Sequence, residues 1–191
     1  LAVAELAKAA GFPNGVFNII TGSAKEIGME LTKNPKIKKI SFTGSTEVGK
    51  ILMEQSASTV KKLSMELGGH APFIVFEDAN IDEAVTGALQ SKFRNSGQTC
   101  ICTNRLFVHE KVYDSFLEKF TNEVKKIKVG NGLNDGIVSG PLIDKSSLDK
   151  VIDHVQDAVN TGAKIAVGGE VHPLGGNFDQ PTVLSNVSTE A

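Results

Sequence analysis

Short apolar runs alternate with helically spaced apolar residues in the first third of the chain. Such runs predict buried strands, and an apolar residue at every third or fourth position predicts the buried face of a helix. The elements predicted there are a helix at 1–10, a strand at 15–20, a helix at 25–32, a strand at 37–43, a helix through 48–52 and a strand at 60–67. This order favours an α/β fold with a parallel sheet, in which ligands bind at the carboxyl ends of the strands.

The alternation continues through the rest of the chain. Strands are predicted at 72–76, 106–109, 164–167 and 182–187, and helices at 81–93, 112–127 and 148–159. Asn80, with Glu83 three residues later, has the sequence of a capping box. Because Gly68-Gly69 separates the two series, we expect one domain at 1–68 and another at 69–191.

Composition and charge narrow the class of protein. The 191 residues are 40% hydrophobic and 22% charged, which is typical of a soluble globular protein. A net charge of −2 without long basic runs argues against a nucleic-acid or membrane-surface partner, and no apolar stretch is long enough to span a bilayer. The two cysteines stand one residue apart, so a disulfide framework is excluded and a reducing compartment is expected.

A glycine turn at the end of the 37–43 strand leads into the next helix. Gly44–Lys50 partly matches a P-loop, but Ile51 replaces the hydroxyl residue that would hold Mg²⁺. A strand, a glycine turn and a helix start still favour an anion, and Ser45 adds a hydroxyl group there. The alternative is a simple helix cap, a role in which serine is common.

Two further segments carry groups that suit catalysis. Glu66 stands at a strand end before Gly68-Gly69, where it is either a base or a solvated surface side chain. Cys100 lies in the small-residue loop 93–102, where a thiolate could attack a carbonyl group and backbone N–H groups could meet the oxyanion. The alternative is that Cys100 and Cys102 are both small buried apolar residues, as most free cysteines are.

Three of these motifs, in this order and at these separations, resemble the aldehyde dehydrogenase superfamily. They are Phe42-Thr-Gly-Ser-Thr-Glu-Val-Gly49, Glu66-Leu-Gly-Gly69 and Gly97-Gln-Thr-Cys100. The similarity runs over essentially the whole chain, and three spaced motifs are far more specific than one. The segment Lys92–Cys102 resembles the succinate-semialdehyde dehydrogenase branch in particular.

The resemblance implies a fold and a reaction. The fold would be a Rossmann-like parallel sheet, the second half of a nucleotide-binding domain, followed by part of an α/β catalytic domain. Cys100 would attack an aldehyde, hydride would pass to NAD or NADP, and Glu66 would activate the water that hydrolyses the thioester.

The resemblance also implies a set of cofactor-binding residues. Gly44, Ser45 and Gly49 would hold the dinucleotide pyrophosphate. Val48 would pack near the adenine, and the carbonyl group of Leu67 would lie near the nicotinamide amide. The residues that distinguish NAD from NADP would precede this chain.

Two residues beside the nucleophile carry the narrower resemblance. An arginine at the position of Arg94 pairs with the substrate's distal carboxylate in that branch, whereas the alternative is a surface arginine at a helix end. Cys102 matches a second cysteine that, in part of the branch, forms a reversible disulfide with the nucleophile. Mass spectrometry of peroxide-treated protein would show a Cys100–Cys102 disulfide as a loss of two hydrogens, and activity lost without it would contradict this hypothesis.

Expectations for the whole protein follow from the same resemblance. The chain starts at Leu1 rather than Met, so we expect an internal segment of a longer protein, here called the parent protein. The family's oxyanion-hole asparagine and ribose-binding lysine would precede Leu1, so the chain alone should be inactive. The parent is expected to be a homodimer or homotetramer in the cytoplasm, or in the mitochondrial matrix of a eukaryote, that acts on a small aldehyde and has no metal site.

Three other functions remain open. The first is a general aldehyde dehydrogenase with a different substrate. The second is a non-enzymatic Cys-x-Cys redox module, for which Glu66→Gln would change nothing. The third is a papain-like thiol hydrolase, which would need a histidine beside Cys100, but none of the four histidines stands in such a motif.

Overall fold

The computed structural model describes residues 1–189, which contain six α-helices and six β-strands. They form two compact units, one of them Leu1–Leu67 and the other beginning at Gly68. Among the described residues, no helix combines the length and the apolar character that crossing a membrane requires.

The first unit is a parallel pair of strands with a crossover helix. Its elements are α1 (Ala2–Ala9), α2 (Ala24–Lys33), β1 (Lys39–Gly44), α3 (Thr46–Ser56) and β2 (Lys62–Leu67). Strands β1 and β2 are parallel, and their register pairs Thr43 with Glu66 and Gly44 with Leu67. The carboxyl ends of both strands therefore meet at one edge, where the sequence predicted a ligand.

A buried lysine closes the C-terminal end of α2. The last carbonyl groups of a helix have no intrahelical partner and attract cations. Lys61 is almost fully buried, and its Nζ donates to the carbonyl oxygens of Leu31 at 2.9 Å and Asn34 at 3.0 Å. These bonds connect the end of α2 to the start of β2.

The second unit repeats the strand, helix, strand arrangement and extends it. Its elements are β3 (Ala71–Val75), α4 (Ile81–Phe93), β4 (Thr103–Val108), α5 (Glu110–Val124), α6 (Lys145–Asn160), β5 (Lys164–Val167) and β6 (Val183–Ser185). Strands β3 and β4 are parallel, whereas β5 and β6 are antiparallel. Asn80 caps α4, because its side-chain oxygen accepts from the backbone N–H groups of Asp82 and Glu83.

Apolar side chains of α4, α5 and the neighbouring strands form the core of the second unit. The rings of Phe116 and Phe120 stack with centroids 5.5 Å apart, and Phe93 lies 6.3 Å from Phe120. Phe93 is the last residue of α4, so this core fixes the start of the following loop, which carries Cys100 and Cys102.

One predicted strand is wrong. Residues 15–20 form turns and irregular backbone, and the side chains of Val16 and Ile20 are about two-thirds exposed. A strand needs a neighbour to satisfy its backbone hydrogen bonds, and within residues 1–189 none pairs with this segment. The other predicted helices and strands are confirmed, with ends that differ by a few residues.

Candidate active site

The segment Arg94–Cys102, here called the thiol loop, leaves the end of α4 through a strained turn. Asn95, Ser96 and Gly97 all have positive φ angles, of 52°, 55° and 76°. Such angles are unfavourable for residues other than glycine unless surrounding contacts impose them. After this turn the two cysteines have different environments, since Cys100 is exposed and Cys102 is fully buried.

One side of the thiol loop is bound to residues 139–143. Ser96 Oγ donates to the carbonyl oxygen of Gly140 at 3.0 Å and accepts from Ser139 Oγ at the same distance. Gln98 Oε1 accepts from the backbone N–H of Ile143 at 2.9 Å. These bonds supply contacts that hold the strained backbone before Cys100.

The other side of the thiol loop is bound to α4 and β4. The thiol of Cys102 donates to the carbonyl oxygen of Lys92 at 3.4 Å. Lys92 Nζ lies 3.6 Å from Cys102 Sγ and donates to Asn104 Oδ1 at 2.8 Å. Free cysteines commonly serve as buried packing residues, and Cys102 has that character whereas Cys100 does not. The loop therefore presents one accessible thiol, that of Cys100.

Arg94 lies at the C-terminal end of α4, six residues before Cys100. Its side chain is exposed, and within residues 1–189 no hydrogen bond or ion pair engages its guanidinium group. Arginines on a protein surface commonly pair with nearby carboxylates, so this free guanidinium is available for an external anion.

The helix α3 begins directly at the carboxyl end of β1. Ser45 caps the helix, since its Oγ accepts from the backbone N–H of Val48 at 3.3 Å. The preceding N–H groups, those of Thr46 and Glu47, have no intrahelical acceptor and suit an anion such as pyrophosphate. Val48 is 42% exposed and offers apolar surface beside them. The residues present here therefore fit the phosphate groups of an anionic ligand, with apolar surface beside them.

Gly44 and Gly49 both lie against a neighbouring side chain of the first unit. A Cβ atom on Gly49 would lie 2.7 Å from Leu67 Cδ2, so a larger residue there would force the Leu67 side chain to move. The N–H of Gly49 already donates to the Ser45 carbonyl oxygen at 3.0 Å. A Cβ atom on Gly44 would collide with the ring of Phe42. Of the two, Gly44 lies at the exposed strand end beside Ser45, whereas Gly49 is buried.

Glu66 is exposed at the carboxyl edge of the first unit, next to Leu67 in β2. No hydrogen bond or ion pair within residues 1–189 engages its carboxylate. A free carboxylate at a strand end can accept a proton from a water molecule. Glu66 belongs to the first unit and Cys100 to the second.

A half-buried acid stands near Lys92. Burial raises the pKa of Asp179, while its backbone hydrogen bond and the positive charges of Lys92 and His172 oppose that rise. Asp179, Lys92 and Asn104 were not singled out as functional residues by the sequence. Lys92 lies in α4, Asn104 in β4 and Asp179 in a segment outside the named helices and strands, so only the fold brings them together.

The histidines do not complete a thiol hydrolase. Within the described chain no histidine hydrogen-bonds to Cys100. His70 Nδ1 lies 3.3 Å from Asn104 Nδ2, while His109 and His172 accept from backbone N–H groups close to them in sequence. A papain-like nucleophile needs a histidine within hydrogen-bonding reach, so this alternative loses its support.

Comparison with known proteins shows similarity over the whole chain. A family model described as "Aldehyde dehydrogenase family" matches residues 1–191. The NADP⁺-dependent succinate-semialdehyde dehydrogenase GabD of Escherichia coli (strain K12) is 57% identical over 191 residues, which are 100% of this chain and 40% of that protein. A glutarate-semialdehyde dehydrogenase of Pseudomonas aeruginosa is 56% identical over the same length and share.

A solved structure gives the same result for the fold. The crystal structure of succinate-semialdehyde dehydrogenase from Burkholderia pseudomallei superposes with a TM-score of 0.97 at 54% identity, covering 99% of this chain and 39% of that one. These likenesses confirm the expected fold class, a Rossmann-like α/β arrangement. The chain spans about 40% of the length of the curated relatives it matches.

Proposed function

Because the chain belongs to the aldehyde dehydrogenase family, we propose that its parent protein oxidises an aldehyde with a distal carboxylate, in the first instance succinate semialdehyde, to the corresponding acid. The observation that carries this proposal is the unpaired guanidinium group of Arg94 on the same loop as the exposed thiol of Cys100. The semialdehyde specificities in the names of the relatives support the same class of substrate.

Cys100 is the proposed nucleophile. Its thiolate adds to the aldehyde carbon and the carbonyl oxygen becomes the oxyanion of a thiohemiacetal, stabilised by backbone N–H groups of the loop. Departure of hydride from that carbon leaves a thioester on Cys100. Glu66 is the proposed base that takes a proton from water, so that hydroxide attacks the thioester, the acid leaves and the thiol is restored.

NAD or NADP is the proposed cofactor. When bound, its nicotinamide ring accepts the hydride that leaves the thiohemiacetal. Ser45 and Gly44 at the start of α3 would hold the pyrophosphate, Val48 would offer apolar surface to the adenine, and Leu67 would present its carbonyl group to the nicotinamide amide. The N–H groups at the start of α3 and the exposed side chain of Val48 support this assignment. Gly49 would contribute by allowing the close packing of α3 on β2.

Arg94 is the proposed determinant of substrate class. Its planar guanidinium group binds a carboxylate through two parallel hydrogen bonds. A substrate held in this way at its distal carboxylate would present its aldehyde group to the thiol loop. A neutral aldehyde of the same length gains nothing from Arg94.

The test compares succinate semialdehyde with butyraldehyde as substrates of the parent protein. Loss of a hydrogen bond to a charged group predicts that Arg94→Leu lowers kcat/KM for succinate semialdehyde by roughly ten- to hundredfold and leaves butyraldehyde unchanged. Arg94→Lys should recover part of the loss, because lysine keeps the positive charge but cannot make the two parallel hydrogen bonds of the guanidinium group. Lys125→Leu, at an exposed site on another element, is the matched control.

Either of two results would refute the narrow proposal. One is a wild-type protein that oxidises both aldehydes equally well, which would indicate a general aldehyde dehydrogenase. The other is an equal loss with both substrates in Arg94→Leu. Glutarate semialdehyde belongs in the same series because one relative is named for it, and a higher kcat/KM for it would assign the longer substrate.

A further inference from the structure

We propose that Lys92 is a positioning residue, which fixes the thiol loop by binding Cys102 and Asn104 and thereby keeps Cys102 unreactive. Its importance for turnover rests on the proposed function, whereas its effect on the two thiols does not. Lys92 itself touches neither substrate nor cofactor in this proposal.

Lys92 engages the thiol loop through both its backbone and its side chain. Its carbonyl oxygen accepts from the Cys102 thiol at 3.4 Å, and its ammonium group lies 3.6 Å from the same sulfur. A Cβ atom placed on Gly97 would lie 3.3 Å from Lys92 Nζ and 3.3 Å from its carbonyl oxygen. Lys92 therefore lies beside Gly97, before Cys100, and is bonded to Cys102, after it.

The ammonium group has a second partner that ties the loop to the sheet. Lys92 Nζ donates to Asn104 Oδ1 at 2.8 Å, and Asn104 Nδ2 lies 3.3 Å from His70 Nδ1. Asn104 lies in β4 and His70 directly precedes β3, so the chain of contacts reaches both parallel strands. Helix α4 ends at Phe93, and a cation in the last turn is favoured there.

Removing the ammonium group would weaken the contacts of two groups. Cys102 Sγ is fully buried and would keep only its bonds to the carbonyl oxygens of Lys92 and Thr103 and to Asn104. Asn104 Oδ1 would exchange its charge-assisted hydrogen bond for the thiol of Cys102 alone, at 3.8 Å. A buried polar group that loses its partner destabilises its surroundings more than an exposed one does. We therefore expect the segment Gly97–Cys102 to open more often, which displaces Cys100 and exposes Cys102.

The experiment measures alkylation of each cysteine in the folded parent protein. Iodoacetamide is added under native conditions, and labelling of Cys100 and Cys102 is followed with time by peptide mass spectrometry. Wild type should label at Cys100 with Cys102 protected. Since a hydrogen bond to a charged group is lost, Lys92→Met should label Cys102 roughly tenfold faster or more. Lys125→Met, with an exposed lysine outside this network, should label as wild type does.

A second variant keeps the test decisive if Lys92→Met does not fold. Asn104→Leu removes one partner of the ammonium group from an exposed position on β4. It should accelerate Cys102 labelling. The acceleration in the Lys92→Met/Asn104→Leu double variant should be smaller than the product of the accelerations in the two single variants, because both substitutions remove the same contact. Wild-type protection of Cys102 in folded Lys92→Met, or in folded Asn104→Leu, overturns the proposal.

Kinetics distinguish positioning from general destabilisation. Lys92→Met should lower kcat for the aldehyde without altering KM for the cofactor, because the proposed cofactor residues lie in the first unit. A Lys92→Met protein with wild-type kcat would refute the positioning role even if Cys102 became reactive. If wild type oxidises no aldehyde, the proposed function fails, and the labelling of the two cysteines still decides the role of Lys92.

Discussion

Glu66 is the residue at which an aldehyde dehydrogenase and a passive redox module differ most sharply. An amide cannot take a proton from water, so Glu66→Gln should stop thioester hydrolysis after hydride transfer has taken place. We expect a burst of about one NAD(P)H per Cys100, followed by slow turnover, in a stopped-flow absorbance trace. Glu54→Gln, exposed on α3 of the same unit and away from the start of the helix, is the matched control.

Intact-protein mass spectrometry gives the second readout for Glu66. The acyl group should accumulate on Cys100 in Glu66→Gln and not in the Glu54→Gln control. Wild-type turnover in Glu66→Gln, with no acylated cysteine, would exclude the hydrolytic role and favour the redox module.

Single residues of the site were predictable from sequence to different degrees. Cys100 and Glu66 stand in short motifs that resemble those of the family, and their proposed roles come from that resemblance. The different surroundings of Cys100 and Cys102 could not be derived, because one residue of separation says nothing about which side chain faces the core. The Lys92–Asn104 contact spans twelve residues and two elements, so it exists only once α4 and β4 are in place.

At the scale of elements, the start of α6 carries a pH-dependent cap. Asp144 accepts from the backbone N–H of Ser147 at 2.8 Å, and this bond, with a smaller contribution from the Ser147 side chain, holds the pKa of Asp144 below its usual 3.8. A carboxyl with a lowered pKa stabilises the folded state at pH above the unfolded value. That contribution is lost as the pH falls through the lower folded value.

Hydrogen exchange of α6 in the parent protein tests this cap. The protection factors of the first-turn amides of α6 should fall as the pH drops below about 4 in the wild type. Asp144→Asn keeps the capping oxygen but cannot titrate, so its protection should be independent of pH in that range. Asp153→Asn, exposed on the same helix, should retain the wild-type dependence. An Asp144→Asn protein that still loses protection in acid would contradict this account.

Elements with both a hydrophobic pattern and a local partner were predicted well. The two strands that flank α3 pair with each other, and so do the two strands that flank α4. Each strand therefore finds its partner one helix away along the chain, and the local pattern agrees with the topology. Residues 15–20 have the composition of a strand, yet composition does not specify what the backbone pairs with. Strand prediction fails there because pairing is a property of the neighbours and not of the segment.

At the scale of the whole molecule, the first unit exposes an unusual amount of apolar surface. Large hydrophobic side chains between 39% and 80% exposed occur throughout its first twenty residues, at Leu1, Val3, Leu6, Phe12, Val16, Phe17, Ile19 and Ile20. Where exposed apolar side chains adjoin one another, they mark an interaction site or a cause of aggregation. The chain also spans only about 40% of the relatives it matches, so the proposed activity belongs to the parent protein.

The final prediction concerns the 191-residue chain expressed by itself. We expect no aldehyde-dependent formation of NAD(P)H, because the chain spans only about 40% of the length of the relatives it matches, and the resemblance places the family's ribose-binding lysine and oxyanion-hole asparagine outside it. The parent protein at an equal concentration of Cys100 thiol is the positive control, and light scattering reports association through the exposed apolar residues. Turnover by the isolated chain would show that Cys100, Glu66 and the start of α3 suffice for catalysis. It would also show that the remainder of the parent protein contributes stability and not chemistry.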